Sequence, residues 1–279
     1  MKIIRKASEM QRIALKLFKA GEEIGIVPTM GALHEGHISL INKSVKQDDI
    51  TIVSIFINPI QFGSDEDFLK YPRLFNRDIS ICRKNHVDYV FAPSAEDMFA
   101  KDHKTFIDVR DIQDILCGEF RKGHFIGVAT VVAKLFNIAF AERAYFGMKD
   151  FQQLRIIDKM AKDLNFRTKI VPCPIVREKS GLAMSSRNLY LNEREKKIAA
   201  EISKILKEAK AGFKNKSAKK IIAKVKSSLS LLPESKVDYA EMRDYESLSV
   251  LNTNTKKAVL AVAVWIGKTR LIDNIMLSK

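Results

Sequence analysis

The chain has 279 residues, of which 46% are hydrophobic and 29% charged, a balance typical of a globular protein with a substantial core. No apolar stretch is long enough to cross a bilayer, which argues against a membrane protein. The 48 Lys and Arg outnumber the 33 Asp and Glu, for a formal net charge of +15. This charge raises the question of a nucleic-acid partner.

The three cysteines, Cys82, Cys117 and Cys173, lie far apart in the sequence. Their spacing predicts neither a metal site nor a disulfide framework, and it fits a reducing cytoplasm. The first residues are basic, but no unbroken apolar block follows them, so we expect no signal peptide. Ser8 and Gln11 instead have the spacing of a capping box for an amphipathic helix over 9–19.

Strand and helix patterns alternate through the first two-thirds of the chain. Near-continuous apolar runs predict buried strands, and apolar residues at helical spacing predict helices. We expect strands at 24–27, 50–57, 88–91, 143–146 and 168–171, and helices at 36–46, 74–84, 128–140 and 151–164. This alternation predicts an α/β fold with a parallel sheet and right-handed crossovers.

The pattern changes near residue 192. Two lysine-rich helices, separated at Gly212, precede predicted strands at 237–242, 258–266 and 269–272. We therefore predict a first domain over residues 1–176 and a smaller C-terminal α+β domain over residues 177–279. Most lysines of this region are expected on a solvated helix face. In the lysine-rich stretch 194–226, Phe213 is the one aromatic residue, so the stacking groups of a single-strand binder are missing there.

The most informative motif is His34-Glu35-Gly36-His37, which follows the 24–27 strand and opens a helix. Unpaired N–H groups and the positive end of the helix dipole favour an anion there. Gly36 has no side chain, so a nucleotide could approach the backbone closely. Two alternatives are a zinc pair, although the usual motif spaces its histidines four apart, and a pair of core histidines.

Three further segments carry polar side chains at strand ends or in turns. Asn58 and Gln61 follow the second strand and offer uncharged amides, or simply form a turn. Lys149 and Asp150 follow a later strand; Lys149 suits a phosphate, and Asp150 could hold a ribose or cap the next helix. The segment 184–188, Met-Ser-Ser-Arg-Asn, could clamp a triphosphate or be a surface turn.

Together these segments resemble the superfamily of nucleotidylyl transferases and class I aminoacyl-tRNA synthetases, which carry a His-x-Gly-His turn early in a Rossmann-like domain. Within it, the chain is similar to the pantoate–β-alanine ligase family. The matching motifs occur in order over most of the chain, at 28–40, 56–62, 71–73, 123–137, 146–153, 174–191 and 270–274. The resemblance implies a Rossmann-like sheet with helices on both faces.

The resemblance also implies a two-step reaction of the coenzyme A pathway. ATP and pantoate would give an enzyme-bound pantoyl adenylate and pyrophosphate, and β-alanine would then attack the acyl carbon to release pantothenate and AMP. Magnesium would accompany ATP. The implied protein is a cytoplasmic homodimer that acts on these small molecules and binds neither nucleic acid nor membrane. Positioning and electrostatics would supply most of the catalysis, without a covalent nucleophile.

Roles for individual residues follow from the resemblance. The catalytic set is His34, His37, Lys149, Ser185, Ser186 and Arg187. Further ATP contacts are expected from Met30, Gly36, Gly147, Asp150, Val176 and Met184. The pantoate pocket would contain Met30, Asn58, Gln61, Arg121 and Gln153, with Phe56 and Phe62 on its apolar side. Tyr71 matches a further active-site position.

The chain departs from the family pattern at a few positions. Asp78 matches an acidic position near the metal, but Arg77 replaces a second Asp, so ATP oxygens and water could suffice as ligands of magnesium. Lys122 and Ser180 replace a Pro and an Asp in predicted loops. Two other hypotheses remain open, an adenylyltransferase acting on a phosphorylated acceptor and a nucleic-acid-binding module.

Overall fold

The computed structural model describes residues 1–64, 66–213 and 217–278. Within these residues the strands form one six-stranded parallel sheet and one three-stranded antiparallel sheet. The predicted α/β class with a Rossmann-like sheet and a smaller C-terminal α+β part is confirmed. No helix of the described ranges is long and apolar enough to span a membrane.

The parallel sheet places its strands in the order β1-β4-β3-β2-β5-β6. The strands are β1 (Lys2–Ile4), β2 (Ile24–Thr29), β3 (Ile50–Ile55), β4 (Tyr89–Phe91), β5 (Arg143–Gly147) and β6 (Lys169–Cys173). From β2 the chain builds β3 and β4 on one side and then returns to place β5 on the other, with Gly25 opposite Arg143. The order therefore reverses between β2 and β5, and ligands bind at such switch points, beyond the carboxyl ends of the strands.

Helices cover both faces of this sheet. They are α1 (Ala7–Lys19), α2 (Glu35–Gln47), α3 (Phe75–Lys84), the short α4 (Ala95–Met98) and α5 (Cys117–Phe120), α6 (His124–Ala139) and α7 (Phe151–Asp163). Successive side chains of a strand point to opposite faces. Accordingly Ile26 packs into the core beneath α1, α6 and α7, whereas Val27 packs into the core beneath α2 and α3.

The C-terminal part comprises α8 (Glu193–Gly212), α9 (Ala218–Ser230), β7 (Ser235–Asp244), β8 (Lys257–Ile266) and β9 (Thr269–Ser278). One face of its sheet packs on α8 and α9, through residues such as Leu260 and Val262. The opposite face, with Tyr239, Val259 and Ala261, belongs to the same hydrophobic core as Ile26. The smaller sheet therefore packs directly on the larger part of the molecule.

Several boundaries differ from the sequence prediction. The predicted capping box of α1 is wrong, because the helix begins at Ala7 with Lys6 as N-cap and no side chain caps it. The chain enters α1 from β1, an edge strand that the sequence analysis did not predict and that pairs with β4. The strand predicted at 50–57 ends at Ile55, and the one predicted at 269–272 continues to Ser278 because β8 pairs with it throughout.

Candidate active site

A cavity of about 210 Å³ opens at the switch point between β2 and β5. The predicted site residues that line it come from four remote segments of the chain, and of the predicted set Arg121, Asp78 and Phe62 do not line it. The residues that do are Met30, His34, Gly36, His37, Asn58, Gln61, Gly147, Lys149, Asp150, Gln153, Val176, Met184, Ser185, Ser186 and Arg187. Phe56 and Tyr71 line the same cavity.

The two histidines lie at the start of α2, and in each ring the nitrogen free to donate a hydrogen bond is Nε2. Nδ1 of His34, the N-cap residue, accepts the Gly36 N–H at 3.1 Å, and Nδ1 of His37 accepts the His34 N–H at 3.3 Å. A neutral imidazole that accepts at Nδ1 carries its proton on Nε2. The ring centroids are 4.1 Å apart, so the turn offers two neighbouring Nε2–H donors.

Both rings are neutral near pH 7. Burial lowers the pKa of His34 to about 4, and the charge of Lys149 adds to this effect. Burial also lowers the pKa of His37 well below its ordinary value, and repulsion from a protonated His34 ring and from Lys149 acts in the same direction. A bound anion would oppose these effects, because negative charge favours the protonated ring.

Gly36 is required by the His34 ring itself. A Cβ at this position would lie 2.8 Å from Cε1 and 2.9 Å from Nδ1 of the His34 imidazole. The absence of a side chain at Gly36 therefore makes room for the His34 imidazole, and the approach of a nucleotide to this backbone stays a prediction.

Asp78 lies beneath the histidine turn. Its two carboxylate oxygens accept the N–H groups of Ala32 and Leu33, each at 2.8 Å, and the residue is 1% exposed. This placement does not fit the expected metal ligand, because the carboxylate is enclosed and holds the backbone of the turn. Nor do three His, Cys, Asp or Glu side chains group as metal ligands anywhere in residues 1–64, 66–213 and 217–278, so the zinc alternative gains no support.

Lys149 lies in the turn between β5 and α7. Its Nζ is 3.9 Å from an oxygen of Asp150, and 17% of its side chain is exposed. Asp150 is the N-cap residue of α7 but makes no side-chain capping bond, so the capping alternative is wrong. A Cβ on Gly147 would meet no atom within 4 Å, which leaves open space beside these two charged groups.

The 185–187 segment lies against the histidine turn. The Ser186 hydroxyl donates to the Ala32 carbonyl at 3.1 Å, and Ser185 Oγ accepts the Arg187 N–H at 3.3 Å. The Arg187 guanidinium lines the cavity but donates to both oxygens of Asp67, at 2.9 and 2.7 Å. Burial favours the neutral form of Asp67, yet the hydrogen bonds and charge of Arg187 outweigh it and lower the pKa of this carboxyl. Asp67 is not among the residues that the sequence predicts for the site.

The amides of Asn58 and Gln61 lie side by side. Asn58 donates to Gln61 Oε1 and to the Gly127 carbonyl, both at 3.1 Å, and its own oxygen accepts the Ile60 N–H at 3.3 Å. Gln61 Nε2 donates to the Met30 sulfur at 3.2 Å. Asn58 is 1% exposed, so it orients Gln61 rather than presenting its own amide.

Helix α6 supplies an apolar wall to the cavity that the sequence analysis did not assign. The lining side chains are Val128, Val131, Val132 and Leu135. The only signal for them was the apolar character of the predicted helix on most of its sides. Phe56 lines this cavity as expected, whereas Phe62 lines a larger one.

The larger cavity, of about 1440 Å³, lies between the two sheets and shares Lys149, Asp150, Gln153, Ser185 and Arg187 with the smaller one. Arg121 lines it instead of the predicted pantoate pocket. Its guanidinium is held by Glu66, with Nε donating to Oε1 at 2.8 Å, and by His124 at 2.9 Å. Arg121 therefore does not line the cavity that contains Gln61, although it lines the larger cavity together with Gln153.

Comparison with known proteins gives one consistent result. A family model described as pantoate-beta-alanine ligase matches residues 2–276. The pantothenate synthetase of Endomicrobium trichonymphae is 66% identical over 279 residues, which is 100% of this chain and 99% of that protein. The pantothenate synthetase of Sulfurihydrogenibium sp. is 52% identical over 280 residues and 99% of each chain.

Solved structures agree with the sequence comparison. Pantothenate synthetase from Thermus thermophilus superposes with a TM-score of 0.92 at 35% identity, covering 99% of each chain. Pantoate-beta-alanine ligase from Francisella tularensis, complexed with beta-gamma ATP and beta-alanine, superposes with a TM-score of 0.83 at 38% identity over 99% of this chain and 97% of that one. The chain belongs to the pantoate-beta-alanine ligase family.

Proposed function

We propose that this protein joins pantoate to β-alanine at the expense of ATP. In the first step a carboxylate oxygen of pantoate attacks the α-phosphorus, forming pantoyl adenylate and releasing pyrophosphate. In the second step the amine of β-alanine attacks the acyl carbon, and the acyl–phosphate bond breaks to release AMP. The observation that carries this proposal is that four remote segments with complementary groups line one cavity.

The phosphate-binding groups lie on three of these segments. The Nε2–H groups of His34 and His37 are oriented by their own backbone turn, and we assign them to the triphosphate. Lys149, Ser185, Ser186 and Arg187 would stabilise the charge that builds on the leaving pyrophosphate. Arg187 is paired with Asp67, so ATP shares or displaces this partner when it binds.

We assign the remaining groups to the nucleoside of ATP and to pantoate. The open space at Gly147 and the Asp150 carboxylate are assigned to the ribose, with Met30, Gly36, Val176 and Met184 as neighbouring contacts. Gln61 and Gln153 are assigned to the polar groups of pantoate. The α6 wall around Val131 suits its two methyl groups, because apolar surface is favourably buried against apolar side chains. Asn58 acts through Gln61.

Magnesium is assigned to ATP rather than to a protein site. Asp78, the one ligand expected from the sequence, is enclosed beneath the histidine turn. Mg²⁺ commonly binds substrate phosphates and retains several waters. Bound to ATP in this way, it would neutralise part of the triphosphate charge.

The protein also has an assembly state and a cellular location to assign. From the resemblance we propose a homodimer, which a molar mass measured by light scattering would test. A cytoplasmic location is supported by three free, buried cysteines among the described residues. We propose no nucleic-acid partner; on α8, Lys196 and Lys204 pair with Glu193 and Glu201 on the same helix, as on a solvated face.

One assay tests this function. The protein is incubated with ATP, magnesium, pantoate and β-alanine, and AMP is followed over time. We expect AMP only when both organic substrates are present, and pantoyl adenylate when β-alanine is omitted. AMP formation that does not depend on pantoate would contradict the proposal, as would the absence of turnover.

A further inference from the structure

Two adjacent residues of β9, Asp273 and Asn274, contact two different segments of the proposed ATP site. Both are buried, with 5% and 3% of their surface exposed. They belong to the smaller sheet, and the cavity around the histidines does not include them. Residues 270–274 match a motif of the family, but the sequence alone suggests no role for them.

Asn274 holds the turn that carries Lys149. Its Nδ2 donates to the carbonyl oxygens of Met148 and Lys149, both at 2.9 Å. A primary amide has two N–H donors, so both are used on one turn. The backbone from which the Lys149 ammonium extends is therefore fixed to the smaller sheet.

Asp273 holds the hairpin that leads into Ser185. Its carboxylate accepts two hydrogen bonds from Arg177, at 2.7 and 2.9 Å, in the bidentate geometry that gives the strongest pairing. Arg177 pairs with Ala183 across this hairpin, and the Met184 N–H donates to the Val176 carbonyl at 3.0 Å. Ser185 follows directly.

The two residues are themselves linked, because Asp273 Oδ1 accepts the Asn274 N–H at 2.8 Å. We propose that Asp273 and Asn274 are positioning residues that set the Lys149 turn and the 176–187 segment relative to each other across the cleft. The inference rests on the proposed function, in which Lys149 and Ser186 bind the same triphosphate. Misplacing such groups by about 1 Å costs on the order of a hundredfold in rate.

Double-mutant cycles test the inference. Asn274→Asp keeps the size of the side chain but cannot donate to two carbonyls, and we expect it to slow pantoyl-adenylate formation about 10–100-fold without changing the KM for pantoate. In a Lys149→Ala background the same change should cost almost nothing further, because Asn274 acts through Lys149. In the same way, Asp273→Asn should cost almost nothing further in a Ser186→Ala background, because Asp273 acts through the segment that carries Ser186.

The crossed pairs are the matched controls. Asn274→Asp with Ser186→Ala, and Asp273→Asn with Lys149→Ala, should each lose activity closer to additively. Equal coupling in all four pairs, or full activity of Asn274→Asp, would overturn the inference. If Asn274→Asp does not fold, Asn274→Ser removes the amide without adding charge and is judged by the same criteria. If Lys149→Ala alone leaves the rate unchanged, the proposed role of Lys149 fails instead.

Discussion

At the scale of single residues, His34 and His37 each accept a backbone N–H of their own turn at Nδ1. These bonds define the tautomer, and burial keeps the rings neutral. The sequence predicted that these two histidines open a helix, because the position of the helix start follows from local spacing. It did not predict that Gly36 makes room for the His34 ring, because ring orientation depends on atoms that spacing does not specify.

The His34 ring combines a structural and a catalytic function that two variants separate. In His34→Asn the amide oxygen can still accept the Gly36 N–H, but no donor replaces Nε2–H. We expect adenylation to slow by about 10²–10³-fold with little change in thermal stability. His34→Ala should slow adenylation by the same factor and should also cost about 1 kcal/mol of stability, because the N-cap hydrogen bond is lost. Single-turnover kinetics and thermal unfolding measure the two effects; normal adenylation by His34→Asn would reject the phosphate contact.

The lowered pKa of His34 predicts a specific loss of stability in acid. This pKa is about 4 in the folded protein instead of the ordinary 6.5. Between these values the unfolded chain binds a proton that the folded protein does not, so stability falls as pH decreases through this window. We expect the urea midpoint to drop between about pH 7 and pH 5 more in the wild type than in His34→Asn. Identical pH dependence would contradict the assignment.

At the scale of helices and strands, long apolar runs were predicted well and their ends less well. The prediction was right for β2, β3, β5 and α7. The strands are buried on both faces and give continuous apolar runs, whereas the helix is buried on one face and gives apolar residues at helical spacing. α5 and the turn around Glu66 were not predicted, since tertiary contacts such as the pairing of Glu66 with Arg121 shape them. For the same reason the sequence did not show that Arg121 lines the larger cavity; its contact with pantoate stays a prediction.

The contact of α6 with the Gln61 turn predicts the effect of a small substitution. A Cβ on Gly127 would lie 2.5 Å from the Ile60 carbonyl oxygen and 2.7 Å from Gln61 Cα. Both neighbours are backbone atoms, so the helix or the turn must move. We expect Gly127→Ala to cost about 1–3 kcal/mol and to raise the KM for pantoate about tenfold, equivalent to roughly 1.4 kcal/mol.

Gly147→Ala is the matched control for these two measurements, because its Cβ would meet no protein atom within 4 Å and its φ of −73° suits alanine. It should keep the wild-type KM for pantoate and gain up to about 1 kcal/mol of stability. Its KM for ATP should rise if the ribose occupies the space beside Gly147. If Gly127→Ala keeps the wild-type KM for pantoate, the contact with α6 does not position Gln61.

At the scale of the whole molecule, the sequence predicted two kinds of structure but not how they pack. The change from alternating strands and helices to lysine-rich helices near residue 192 indicated a second unit. Nothing in the local pattern showed that Tyr239 and Ala261 share a core with Ile26, because such contacts join residues remote in the chain. The predicted domain boundary between residues 176 and 177 therefore stays a proposal. It does not imply that the two parts unfold separately.

The shared core predicts that both sheets unfold together. Trp265 is the single tryptophan; it lies on β8 and donates its indole N–H to Asp238 at 2.9 Å, so its fluorescence reports on the smaller sheet. Far-UV circular dichroism reports on helices of the whole chain. Because separating the sheets would expose apolar side chains of both, we expect the two urea transitions to coincide. A fluorescence transition at clearly lower urea would show that the C-terminal part unfolds independently.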